Sequence, residues 1–148
     1  MRIFAAVAVA IVGVTASALA QGKCDENTVR KLSESPVPLI ASDDIYFNAF
    51  AEGRPVVGKT ELEELRKTHA GERKNQQPTR FHPDRIVATE SADAAYDYGT
   101  AHVEFDETAT GKHVSYNIGY LQVWKLVAGE CRLAAAFSRT LEPSAKGK

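Results

Sequence analysis

Over the second half of the chain, hydrophobic and polar positions alternate with a period of two, the pattern of strands with one covered and one open face. From Ala94 to Phe105 the odd positions are Ala95, Asp97, Gly99, Ala101, Val103 and Phe105, apolar or small with one exception. From His113 to Val127 the even positions Val114, Tyr116, Ile118, Tyr120, Gln122, Trp124 and Leu126 form the apolar set. Arg85 to Glu90 precedes these as a shorter strand after the extended His82-Pro83, and Cys131 to Leu141 follows as the last, beyond the turn Ala128-Gly129-Glu130. A strand as long as His113–Val127 normally bends, and Gly119 is where a bulge is expected.

The first half reads differently. Asp25 to Ser35 predicts a short helix with Val29 and Leu32 on one face, stopped by Pro36 and Pro38. Ile45 to Phe50 predicts a strand, ended by the turn Glu52-Gly53-Arg54-Pro55. Thr60 followed by Glu63 predicts a capping box for a helix that turns Leu62 and Leu65 inward and ends near Gly71, with a polar loop from Gly71 to Arg80. Together these give an α+β domain, one or two N-terminal helices lying on a curved antiparallel sheet.

The leader changes the setting. Met1-Arg2, an uncharged run from Ile3 to Ala20 and a closing Ala18-Leu19-Ala20 have the form of a secretory signal peptide with an A-x-A cleavage site. A membrane anchor is the alternative reading of so long an apolar run. Cleavage after Ala20 predicts a secreted or periplasmic chain without a stable membrane anchor, organised as a connection over 21–42, a domain over 43–141 and a polar tail over 142–148. In an oxidising compartment Cys24 and Cys131, the two cysteines, are expected to pair near the ends of the mature chain, a bridge worth up to ~4.7 kcal/mol in the chain-entropy account. Two inert thiols are the alternative.

Composition then excludes more than it selects. Eighteen Lys and Arg against nineteen Asp and Glu, net charge −1, leave no basic surface for a phosphate backbone, so nucleic acid is not an expected partner. The four histidines have no metal-ligand spacing, and there is no P-loop, dinucleotide fingerprint or nucleophile elbow, so no metal or cofactor is expected.

Asp97 is the candidate catalytic residue, because a carboxyl in an apolar concavity has a raised pKa and suits general acid or base work. The alternative reading is a structural carboxylate taking hydrogen bonds from a Tyr or Arg, or one turned outward by a bulge. Tyr46, Tyr116, Tyr120 and Trp124 are the candidate ligand-binding residues, the tyrosines as donors to an oxygen of a bound molecule, with core packing as the alternative. Tyr96, Tyr98 and His102 share the opposite face, a candidate surface for a homodimer or otherwise a solvated face.

In order, Asp44 to Phe47, Gly58-Lys59-Thr60-Glu61-Leu62, Phe81-His82-Pro83-Asp84-Arg85, Ala95 to Thr100 and Gly119 to Lys125 resemble the nuclear transport factor 2-like, or SnoaL-like, superfamily, in its bacterial branch of unassigned function. The resemblance covers about Asp43 to Leu141. It implies a cone-shaped, cystatin-like roll with a pocket between helices and sheet, frequent dimerisation through the sheet, and either binding of small apolar molecules or acid-base catalysis of the isomerase, cyclase or dehydratase type. No family catalytic motif maps onto the chain. Asp97 falls where relatives carry Thr or a small apolar residue, Ala136 near where this branch carries Asp, and Cys131 where it carries Trp. The first helix is also shorter than the family's. The expected function is therefore an exported small-molecule-binding domain with no assigned catalysis.

Overall fold

A computed structural model describes residues 22–36, 39–49 and 53–141. The leader, Phe50 and the tail 142–148 fall outside the described residues. Helix α1 spans Glu26–Ser33, strand β1 Ala41–Ala49, β2 Val56–Val57, α2 Lys59–Glu72, β3 Arg73–Lys74, β4 Arg80–Ala88, β5 Ala94–Glu107, β6 His113–Val127 and β7 Glu130–Thr140. The strands form one curled sheet in the order β2-β1-β7-β6-β5, with β3 and β4 both pairing along β5. All pairs are antiparallel except β1 with β7, which run parallel because the whole of α2 and β3–β6 lies between them in the chain.

The parity reading holds on both central strands. Asp97, Ala101 and Val103 are buried while Tyr96 and Tyr98 are exposed, and Tyr120, Gln122 and Trp124 are buried while Leu121 is exposed. Register along β5–β6 runs unbroken from Ala94 opposite Lys125 to Asp106 opposite His113, so the bulge expected at Gly119 is absent. The irregularities lie beside it: β7 carries an extra residue opposite the Val123/Trp124 step, and β4 carries one between Pro83 and Arg85, where proline has no N–H for the ladder. At that second bulge β4 presses on β5, and a Cβ at Gly99 would run into the His82 carbonyl oxygen. Only glycine fits there.

Helix α1 is capped by Asp25, whose Oδ1 accepts from the Thr28 N–H at 2.8 Å. Its Val29 is fully buried and Leu32 partly so, as expected. Helix α2 starts two residues earlier than the Thr60 cap predicts. Gly58 is its N-cap without a side-chain bond, and Glu61, not Glu63, reaches back to the Val57 N–H at 2.8 Å. The expected loop from Gly71 shrinks to 75–79, since Gly71 and Glu72 are the last residues of the helix and Arg73 and Lys74 pair with Glu107 and Asp106.

Cys24 and Cys131 form a disulfide with Cα atoms 5.2 Å apart and a sequence separation of 107. Together with the Cys24 N–H, which donates to the Ala92 carbonyl at 2.7 Å, it ties the root of α1 to the β6–β7 and β4–β5 turns. That fixes α1 across the closed end of the curl, with Ser33 in its last turn pressed against the sheet. A disulfide is consistent with an extracellular or periplasmic location. Among the described residues no helix is long and apolar enough to cross a membrane.

Candidate ligand cavity

The curl of the sheet leaves a cavity of about 640 Å³ between its concave face, helix α2 and the segment after α1. Tyr116, Ile118, Tyr120 and Gln122 of β6, with Leu133 and Ala136 of β7, form its floor. Leu62, Leu65 and Arg66 of α2 form one wall, and Phe81 of β4 stands edge-on to Tyr120 with ring centroids 4.8 Å apart. The volume lies within the usual range for small-molecule sites, and the lining is mostly apolar with a few polar groups, as such sites are.

Behind the floor sits the carboxylate singled out by the pattern. Asp97 is fully buried, and every partner it has is a donor from the protein. Trp124 Nε1–H donates to Oδ1 at 2.6 Å, while Tyr120 Oη and Ser33 Oγ donate to Oδ2 at 3.0 and 3.1 Å. Ser33 Oγ also lies 3.3 Å from Gln122 Oε1. Among the described residues no cation neighbours the group, and burial pushes the Asp97 carboxyl up from its ordinary value, against the opposing pull of these hydrogen bonds. Burial, then the adjacent Asp97 charge, holds the Tyr120 phenol far above its usual range, so Tyr120 is a neutral donor.

The structure thus brings Asp97, Tyr120 and Trp124 together on one face, but it divides their surroundings. Tyr116 and Tyr120 line the cavity. Trp124 does not; it is completely buried in the layer between α1 and the sheet, spent on packing and on Asp97. Asp97 likewise stands outside the lining, with Tyr120 and Gln122 between it and the open volume. Tyr46 is on the other side altogether, half-exposed and packed against Phe137 with ring centroids 5.6 Å apart, because Ile45 takes the inward position of β1.

Outward-facing Tyr96 and Tyr98 sit where parity puts them, but their neighbours differ from expectation. His102 lies in a polar end of that face, its Nδ1 2.9 Å from Asn117 Oδ1 and its Nε2 3.2 Å from Ser115 Oγ. Leu121 and Phe137, neither singled out from sequence, extend the tyrosines instead, opposite Tyr98 and each other in register. Ser33 and Gln122 also escaped the sequence reading. Gln122 stood as a polar residue in an apolar row, the same signal that marked Asp97. Among the described residues, no cluster of His, Cys, Asp or Glu is arranged to hold a metal.

No family model matches the sequence, and no curated protein does. Solved structures do match in three dimensions. A ketosteroid isomerase-like protein from Erwinia carotovora atroseptica superposes with a TM-score of 0.58 at 21% identity, over 70% of this chain and 77% of that one. A nuclear transport factor 2-like superfamily protein from Salmonella enterica serovar Typhimurium gives 0.56 at 14%, over 82% and 89%. The fold is nuclear transport factor 2-like. An uncharacterised cystatin-like protein from Caulobacter vibrioides agrees, with a TM-score of 0.58 at 12% identity over 80% and 84%. At these identities the likeness concerns the fold, and function has to be argued from the cavity.

Proposed function

We propose that this chain is an exported nuclear transport factor 2-like domain that takes a small, largely apolar molecule into the concave cavity, with no reaction assigned to it. The observation that carries this reading is the cavity itself. A volume of about 640 Å³ over the hydrophobic centre of the sheet, bordered by the rings of Tyr116, Tyr120 and Phe81, is shaped for a guest. Export rests on the leader at Met1–Ala20, and the disulfide agrees with it. Homodimerisation through the open sheet face is part of the same proposal, with Tyr96 and Tyr98 at its centre and the exposed Leu121 and Phe137 beside them.

Filling the floor tests the binding reading. Ala136→Phe places a ring where Ala136 now borders the cavity. The expected result is that dodecanol raises the melting temperature of the parent chain and leaves that of the variant unmoved. Equal shifts in both proteins would place binding elsewhere and defeat the proposal.

One contact supports a second reading, acid-base catalysis. Tyr120 borders the cavity while its hydroxyl is bonded to Asp97, so a proton relay from guest to buried carboxyl would run through the phenol. In this reading Asp97 acts on the guest only through Tyr120 and is a positioning residue. Tyr120→Phe separates the two cases: a binding domain keeps its guest, while a catalyst loses turnover.

A further inference from the structure

Helix α2 presents a single stripe of Leu62, Leu65, Arg66, His69 and Ala70 to the cavity at the spacing i, i+3, i+4, i+7, i+8, and Arg73, the first residue of β3, follows them on the lining. The stripe is apolar over its first turn and basic thereafter. The acidic residues nearby on the same helix, Glu63, Glu64 and Glu72, are exposed and outside the lining. No Asp or Glu occurs among the described lining residues, in a chain where acids slightly outnumber Lys and Arg. Lys59 and Lys67 of α2 lie outside the lining, so the arginines bordering the cavity are Arg66, Arg73 and, on β7, Arg139, with no acid among the described lining residues to offset them.

Neither Arg66 nor Arg73 is consumed by a carboxylate among the described residues. Arg66 donates from Nη2 to the Leu39 carbonyl at 3.2 Å, leaving its other N–H groups to spare. Arg73 lies with its guanidinium 4.5 Å over the face of Phe105, a stacking that fixes the plane and leaves the N–H edge available. The two are seven residues apart in sequence and border the same cavity. A half-enclosed site with an apolar floor and planar, oriented cations on one side is matched by a molecule with an apolar body and an acidic head.

From this sorting of charge we infer that the guest of the cavity is an apolar carboxylic acid, its carboxylate held at the α2 wall by Arg66 and Arg73 and its hydrocarbon lying on Tyr116, Tyr120 and Leu133. The inference rests on the binding reading above and narrows it to one chemical class.

Calorimetric titration of the intact, disulfide-bonded protein with dodecanoic acid and with dodecanol, which share a chain and differ in the head group, tests it. The acid is expected to bind at least tenfold tighter than the alcohol at neutral pH and low salt. That preference is expected to shrink in Arg66→Gln and Arg73→Gln, and to weaken in the parent as salt rises, while alcohol binding stays within about twofold throughout. Equal or tighter binding of the alcohol overturns the acid assignment and leaves the cavity reading standing. A preference for the acid that survives both substitutions places the head group elsewhere and also overturns it. Failure of both compounds to bind overturns the assignment together with the binding reading. Melting curves of the two variants that overlay the parent's show that a lost preference is not lost structure.

Discussion

Removing the Asp97 carboxylate is the perturbation whose cost is best defined by the structure. In Asp97→Ala three buried donors lose their acceptor at once: the Trp124 indole N–H, the Ser33 hydroxyl and the Tyr120 hydroxyl. A buried donor left without a partner costs about 1–3 kcal/mol. Ser33 has a second acceptor in Gln122 Oε1 at 3.3 Å, and Tyr120 borders the cavity and can turn to water there. The Trp124 N–H, in a side chain with no exposure, has neither escape. Against these losses stands relief of a lone buried charge. One full orphan, two partial ones and the space vacated by the carboxylate, less that relief, give about 3 kcal/mol, or a fall in Tm of about 10 °C. Trp124 is the chain's single tryptophan, so its fluorescence during urea unfolding reports on the site directly. An Asp97→Ala variant within about 0.5 kcal/mol of the parent would refute the reasoning.

The pH dependence carries a definite sign. Because the folded carboxyl titrates above its unfolded value near 3.9, the folded state binds the proton more readily between the two values. The group's contribution then favours folding below the unfolded value and is lost as pH rises through the raised one. Unfolding of the parent and of Asp97→Asn, compared from acid to neutral pH, should show the parent gaining on the variant as pH falls. A difference that grows toward neutral pH would mean a carboxyl stabilised in its charged form.

Further outcomes follow from the fold. Replacing Cys24 and Cys131 with Ser, which releases the root of α1 from the turn before β7, should cost about 2–5 kcal/mol in denaturant unfolding. Gly99→Ala forces a Cβ against the His82 carbonyl and should lower stability by about 1–3 kcal/mol, whereas Gly71→Ala, in open space on α2, should not lower it. Tyr98→Lys, at the centre of the open sheet face, should convert dimer to monomer in light scattering without changing the melting of the monomer; an unchanged mass removes the dimer proposal.

What the sequence disclosed, and what it concealed, divides along one physical line. Period-two alternation is a local property, so it assigns Asp97, Tyr120 and Trp124 to one face from the sequence alone. The expectation of an oxidising compartment likewise points to pairing of Cys24 with Cys131, the disulfide the structure contains. Depth along that face is not local. Whether a residue meets the open volume or the packed layer beneath α1 depends on where the helix lands, so Trp124 and Asp97 fell behind the floor and Ser33 joined them unannounced. Tyr46 was misplaced because Ala41 to Ile45 do not alternate cleanly against the parallel neighbour β7, where the register shifts. The inward stripe of α2 was legible at Leu62 and Leu65, but its continuation at Arg66, and Arg73 beyond it in β3, read as surface until the sheet is seen to curl beneath them.

The central claim is that the concave side of this sheet holds a guest. Native mass spectrometry of the protein taken from its own host, alongside Ala136→Phe prepared in the same way, measures that directly. The account predicts a noncovalent adduct of small-molecule mass on the parent, lost on gentle activation and absent from the variant. A parent chain that flies bare under the mildest conditions, or an adduct retained by the variant, would contradict it.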